Sequence, residues 1–465
     1  MRNNTQNSEK KLRSSDMTRG GITGSLVLFA LPMMASNMMQ QLYNIADALI
    51  VGRAVGRDAL ASVGSAYALM TFITSVFIGL SMGSGAMFSI CYGREDGAGL
   101  RRAVHHAFVL IMSVTVLLTA ACYLLLGPIL SFLNIPSELL GDTRLYLLII
   151  FAGLLASSVY NFFASLLRSV GNSVAQLVFL AVSAVLNIAL DLLFVLSFGW
   201  GIAGAASATV ISQYVCAVGI AAYTALRCRE LLPRMCDMHL DGRIMREIFD
   251  LSFLTGVQQS AMNFGILLIQ RLVDSFGAVT MAAFAAAVKI DTFAYLPVQD
   301  FGNAFSTFVA QNYGAGKSER IRRGMRSATV LSTVFSAVVS ALVFAFAGPL
   351  MRLFVSADET AVIAAGVRYL RIEGAFYVGI GCLFLLYGFY RAVKRPGMSV
   401  VLTVVSLGTR VLLAYALAGV IGEVGIWMSV PIGWALADIV GYGYYLLRRR
   451  SLLPHDDGAL PQSEA

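Results

Sequence analysis

Charge is scarce in this chain. Asp, Glu, Lys and Arg make up only 13% of its 465 residues, about half the share a soluble domain of this size carries. Ser25 to Val51 contains one charged residue, while Ala107 to Leu133 and Val170 to Leu190 contain none. A soluble protein could bury such segments only by wrapping them in polar elements, and those are missing too. Cysteine is sparse: Cys91, Cys122, Cys216, Cys228, Cys236 and Cys382 form no CxxC pair, which excludes a disulfide framework or a zinc centre. Of the few histidines, His105 and His106 are adjacent and do not share a helix face. The longest polar loop, Arg227 to Arg246, offers Cys228, Cys236, Asp237 and His239 without a recognisable catalytic or metal spacing, so an enzyme is not expected.

What is present is hydrophobic, at 58% of residues with a mean hydropathy of +0.75. A helix needs ~20 apolar residues to cross ~30 Å of hydrocarbon. Twelve such spans are expected, near 25–51, 59–91, 103–126, 143–166, 173–197, 202–226, 248–273, 279–311, 325–347, 364–390, 398–420 and 424–447. Blocks of this length cross lipid as helices, which gives an all-α membrane protein. The second and eighth spans are long enough to project beyond the bilayer. No cleavable signal peptide is evident, and the polar, basic residues 1–24 read as a retained tail.

The formal net charge of +8 is placed by topology. With the N-terminus inside, one side of the membrane receives Arg94, Arg101, Arg102, Arg168, the basic run from Arg227 to Arg246, Lys317 to Arg326, Arg391, Lys394, Arg395 and both tails. The other side receives little beyond Arg53, Arg57, Arg144 and Arg352. This is the positive-inside asymmetry. It predicts that both termini are cytoplasmic and needs no nucleic-acid partner.

The chain also repeats itself. Tyr92-Gly93 recurs as Tyr313-Gly314, Leu100-Arg101-Arg102 as Ile321-Arg322-Arg323, and Gly127-Pro128 as Gly348-Pro349, each at a shift of 221. The shift drifts to 223 between Arg168 and Arg391, and to 224 between Gly201-Ile202 and Gly425-Ile426. Two six-helix bundles in the same orientation follow, related by an axis along the membrane normal. The expected division is a tail at 1–24, a first lobe at 25–226, a linker at 227–247, a second lobe at 248–447 and a tail at 448–465.

Ionisable groups inside a span are costly and mark function. The first lobe has Asp47 in span 1 and Asp191 in span 5, with Asn187 one turn before Asp191 and so on the same face. Asn161 and Thr209 can add neutral oxygens. Two carboxylates with amide and hydroxyl oxygens suit Na+ or shared protons, with Asp47, Asn187 and Asp191 as the ligands for Na+. The repeat supplies a control, since these positions map to Leu268, Phe384, Arg410, Ala414 and Gly433. The fold therefore does not require the polar set, and coupling is expected in the first half alone. Pro32 lies inside span 1 and can hinge it. In the second half Lys289, Asp300 and Arg410 are the candidates for a substrate cavity.

These stretches are familiar. LPMMASNMMQQLYNIADALIVGRAVG, SMGSGAMFSICYG, LLRSVGN, LNIALDLLFV, GIAGAASATVISQ and AQNYGAGK resemble the multidrug and toxic compound extrusion (MATE) family, over about residues 25 to 447. The resemblance implies a V-shaped pair of six-helix bundles in the prokaryotic inner membrane, surrounded by lipid. It implies an antiporter of small cationic or amphipathic compounds driven by Na+ or H+, monomeric and without a cofactor. It places Asp47, Asn161, Asn187, Asp191 and Thr209 in the family's first-lobe cation site and Pro32 at its bending helix. One branch of the family also has acids in helices 7 and 10. Here helix 7 has none near Met262 and Asn263, and helix 10 has only Glu373. The competing reading is a flippase for a lipid-linked precursor, although such proteins carry two more helices and a strongly cationic cavity.

Overall fold

The computed structural model describes residues 16–132 and 135–454; the outer parts of both expected tails, 1–15 and 455–465, lie outside the described residues. The first six spans are α1 (Ile22–Ala54), α2 (Arg57–Gly93), α3 (Gly97–Leu124), α4 (Leu140–Ala152 and Leu154–Ser169), α5 (Val174–Asp191, continued by a π-helical stretch Leu192–Ser197) and α6 (Gly201–Arg227). A short helix, Leu126–Phe132, follows α3. The second six are α7 (Gly242–Asp274), α8 (Ala278–Gly314), α9 (Ser318–Arg352), α10 (Thr360–Gly374 and Tyr377–Ala392), α11 (Pro396–Ile421) and α12 (Glu423–Leu452). Among the described residues nine helices, together with the two bent pairs, are long and apolar enough to cross a membrane. The twelfth span is α7, whose apolar run is diluted by Gln258, Gln259 and Asn263. The protein is thus an all-α, multi-pass membrane protein of twelve helices in two six-helix lobes.

The sequence repeat reappears as repeated geometry. α2 and α8 are both 37 residues long, about 55 Å at 1.5 Å per residue, well beyond the hydrocarbon thickness. The fourth helix of each half is bent, by 41° at Gly153 and by 51° around Ala375 and Phe376. α2 and α8 also end alike. Glu95 N–H donates to the Tyr92 carbonyl and Asp96 N–H to Cys91, while Gly316 N–H donates to Tyr313 and Lys317 N–H to Asn312. α4 and α10 close with the same pair of bonds, from Gly171 to Arg168 and Asn172 to Leu167, and from Lys394 to Arg391 and Arg395 to Tyr390. This is the Schellman arrangement, and it needs a left-handed residue at its corner. The four corners are Glu95 (φ 59°), Gly316 (φ 70°), Gly171 (φ 87°) and Lys394 (φ 59°). Each pair places glycine in one half and a strained side chain in the other.

Two compact units divide the described chain, one formed by Asp16 and 31–256 and the other by 17–30 and 257–454. The divisions fall inside α1, beside Pro32, and inside α7, after Gly256. In the first unit Phe162 packs edge-on against Phe88 and Phe108 in a core with Leu100, Ile111 and Leu166. In the second, Trp427 stacks on Phe284 at 5.5 Å and meets Tyr369 edge-on at 4.9 Å.

A short strap precedes both α1 and α7, and each is fastened within its own unit. Before α1, Met17 N–H donates to Gln311 Oε1 at 3.1 Å, and Asn312 Nδ2 donates to the Met17 carbonyl at 3.2 Å. Lys317 Nζ donates to the Thr18 carbonyl, and Arg320 donates to the carbonyls of Met17, Arg19 and Gly20. Before α7, Arg101 Nε donates to Asp237 Oδ2 at 2.7 Å. Asp241 N–H donates to His106 Nε2 at 2.8 Å, which leaves the buried ring to donate from Nδ1 to the Arg102 carbonyl at 2.7 Å. A shift of 221 carries Met17 to Met238 and Gly20 to Asp241, so the straps are repeat mates.

Two outcomes are expected. A left-handed side chain costs about 1–2 kcal/mol, of which glycine's extra unfolded-state freedom offsets about 0.4–1 kcal/mol. Glu95→Gly and Lys394→Gly should therefore each stabilise the protein by about 0.5–1 kcal/mol, read as a raised unfolding midpoint in detergent; a lowered midpoint for both would refute the strain. The second concerns the α7 strap. The Arg101 guanidinium and the Arg234 N–H hold the Asp237 carboxyl below its ordinary value. A lowered carboxylate stabilises docking above its unfolded pKa and loses that contribution as pH falls through the lowered value. Amide-exchange protection of 229–241 should then persist at about pH 5 and fade only below about pH 4, whereas Arg101→Gln should weaken it at neutral pH.

Candidate functional site

The first unit gathers oxygen acceptors in its apolar interior. α5 places Asn187 and Asp191 on one face, 2% and 0% exposed. Asp191 is the last α-helical residue before the π-helical turn Leu192–Ser197. Such turns widen the helix and often mark functional positions. Here the turn leads into a stacked aromatic group of Phe194, Phe198 and Trp200. The Asp191 carboxyl faces the half-buried Asp47 of α1. From α6, Thr209 Oγ1 accepts a long bond of 3.5 Å from Asn187 Nδ2.

The decisive feature is a shortage of donors. Asp47 Oδ1, Asn187 Oδ1 and both Asp191 oxygens are buried and accept no hydrogen bond. Among the described residues no Lys or Arg acts on either acid. Buried acceptors without donors are costly, and two facing carboxylates more so. The mixture of carboxylate, amide and hydroxyl oxygens is of a kind that suits a monovalent cation or a proton.

Of the other expected residues, Asn161 donates to the Ser157 carbonyl at 2.8 Å on its own helix. Pro32 lies within α1, where its ring removes the bond to the Leu28 carbonyl. Two tyrosines at this site were not anticipated from sequence: Tyr43, one turn before Asp47, and Tyr146 of α4, close to both acids. The four-residue spacing of Tyr43 and Asp47 was a usable signal; no sequence pattern links Tyr146 to them.

The second unit treats its candidates differently. Lys289 is exposed and lines a groove with Ala282, Ala286 and Glu359, while Asp300 is buried in α8. The acidic neighbours of Arg410 are Asp291 of α8 and Glu373 of α10. Asp291, Tyr369, Glu373 and Tyr377 are all buried. Tyr377 Oη donates to Asp291 Oδ1, and Tyr369 lies beside both carboxyls. Asp291 Oδ2, Glu373 Oε2 and Arg410 Nε remain buried without partners. The second half therefore also brings two acids together. Helix 7 indeed supplies none, but α8 and α10 bring Asp291 and Glu373 together. The spacing 369, 373 places Tyr and Glu on one face and was the available signal, while Tyr377 follows the bend.

Comparison with known proteins follows the same two halves. The MatE family model matches residues 32–193 and again 255–416. "Probable multidrug resistance protein YpnP" of Bacillus subtilis (strain 168) is 27% identical over 438 residues, covering 93% of this chain and 97% of the relative. The "FAD transporter" of Shewanella oneidensis is 23% identical over 433 residues, covering 91% and 94%. A solved structure, "Crystal structure of MATE in complex with MaL6", shares the fold with a TM-score of 0.89 at 22% identity, over 94% of this chain and 98% of that one.

Removing the Tyr377 hydroxyl leaves the buried Asp291 carboxyl one donor short. Tyr377→Phe should destabilise the protein by about 1–3 kcal/mol, read as a lower unfolding midpoint. Adding Asp291→Asn should recover part of the loss, because an amide needs less stabilisation than a carboxylate; two independent losses that simply add would contradict the pairing.

Proposed function

The chain belongs to the MatE family, a family of transporters and not of enzymes, and on that premise we propose that it is a secondary antiporter exporting small cationic or amphipathic compounds. Na+ or H+ is taken in exchange, by alternating access. The observation that carries this reading is the set of buried oxygens without donors at Asp47, Asn187 and Asp191. A gradient can drive cargo only through a site whose ion affinity differs between two states. Paired carboxylates surrounded by neutral oxygens have that property, because their charge must be balanced from solution. Thr209 orients Asn187, Tyr43 and Tyr146 line the acids, and Asn161 completes the expected set. Pro32 lets α1 bend where its two ends belong to different compact units. Both termini face the cytoplasm of a prokaryotic inner membrane, which the basic loops support.

Dye export into inverted membrane vesicles tests the reading, with Na+ and pH gradients imposed separately. One of the two should drive accumulation of an ethidium-like compound; accumulation under neither would overturn antiport. Asparagine keeps the shape of the acids but cannot ionise. Asp47→Asn and Asp191→Asn should reach the membrane at normal abundance and lose uphill export, leaving at most downhill leakage. Full drug resistance from the doubly neutralised protein, at equal abundance by blot, would show that the two acids are structural.

A further inference from the structure

Asp438 is an intramembrane acid outside both clusters. Asp438 lies in the middle of α12, and its Oδ1 is buried without a hydrogen-bond partner. Its surroundings are neutral. Trp434 sits one turn before it and Tyr442 one turn after, and α10 contributes Cys382 and Tyr387. Tyr442 shares a 3.2 Å hydrogen bond with Thr329 of α9. Gly379 of α10 packs against this turn of α12, where a Cβ would meet Trp434 Cβ at 3.3 Å and Asp438 Oδ2 at 3.8 Å. Cys382, Tyr387 and Tyr442 are the titratable groups facing it. Among the described residues no Lys or Arg acts on it, and burial alone sets its environment.

The internal repeat shows that the fold does not require these groups. At the local shifts of 221 to 224, Asp438 corresponds to Tyr214, Tyr442 to Val218, Cys382 to Val159, Tyr387 to Ala164 and Thr329 to Phe108. The first half builds the same helix contacts from largely apolar residues. A carboxylate in this place requires a counter-charge. The Asp47–Asp191 site offers a second carboxylate and amide and hydroxyl oxygens, and the Asp291–Glu373 cluster has Arg410 nearby. Around Asp438 stand a thiol, an indole and hydroxyls, two of which bond to each other. A hard cation needs a cage of several oxygens, and this setting does not provide one. A proton needs only the carboxyl.

We propose that Asp438 is a proton-binding site of the second half, separate from the Asp47–Asp191 pair, whose carboxyl takes a proton from water and holds it as a neutral acid within the membrane. No other bond changes. The consequence for coupling, a further proton moving in the cycle, rests on the antiporter reading; the protonation itself does not.

Infrared difference spectroscopy of the purified full-length protein tests this directly. It is best done with Asp47 and Asp191 both replaced by Asn to remove their contribution. Asp438→Asn should lose one protonated-carboxyl band at neutral pH. In the parent that band should shift in D2O and vanish as pH is raised. Asp438→Glu should restore the band at a displaced frequency, which keeps the test decisive if the asparagine variant folds poorly. No band lost in Asp438→Asn and none displaced in Asp438→Glu, or a lost band that in the parent persists at every pH, would overturn the proposal. A protein that ignores all ion gradients in transport would still show the titrating band, so failure of the antiporter reading is distinguishable from failure of this one.

Discussion

Inside a bilayer a carboxylate must be balanced by a cation or a proton, because water is not there to solvate it. That constraint organises the polar interior of this transporter. Each helix satisfies its own backbone, so the side chains alone decide where polarity is tolerated. Three sites result, each balanced in its own way. Asp47 and Asp191 face each other among neutral oxygens. Asp291 and Glu373 share two tyrosines and have Arg410 nearby. Asp438 has only neutral neighbours. Most of the remaining interior is apolar, although Asp300, Arg391, Gln311 and Asn312 are buried as well.

The repeat shows what the architecture fixes and what it leaves free. Helix length, the bend in each fourth helix and the Schellman endings recur in both halves. The chemistry does not. Asn187 on α5 corresponds to Arg410 on α11, so the same place carries an amide in one half and a guanidinium in the other. Even the left-handed corners alternate between Gly and a longer side chain. At close approaches the halves also differ. Ser165 donates to the Ser81 carbonyl at 2.6 Å, whereas a Cβ on its mate Gly388 would lie 2.4 Å from the Gly302 carbonyl oxygen. α10 can come that near to α8 only because no side chain intervenes.

Much of this was legible in the sequence, for physical reasons. Hydrocarbon thickness imposes span length, so all twelve spans are readable as apolar runs, α7 being the weakest because Gln258, Gln259 and Asn263 dilute it. Asp47, Asn187 and Asp191 could be singled out because charge is rare there and because i and i+4 share a face. What could not be read was which helices bring their faces together. Asp291 and Glu373 are 82 residues apart, and only the packing of α8 against α10 makes them neighbours. Lys289 and Arg410 looked alike as isolated charges, yet one is exposed and the other borders two buried acids. Asp438 sits in an otherwise ordinary span, where a single acid gives no pattern.

The strap before α1 is held almost wholly through its main chain. Gln311 accepts from an amide, and Asn312, Lys317 and Arg320 donate to carbonyls, which every residue type offers equally. Such a fastening is strict about the number and path of the residues it grips. The side chains add their own requirements, since Met17 and Thr18 are buried and Gly20 adopts the left-handed region at φ 73°. Adding or removing one residue between Met17 and Ile22 would rotate the first turns of α1 by about 100° relative to this anchor. The register of the start of α1 is thus set by main-chain atoms that precede the helix, in bonds made before its first turn begins.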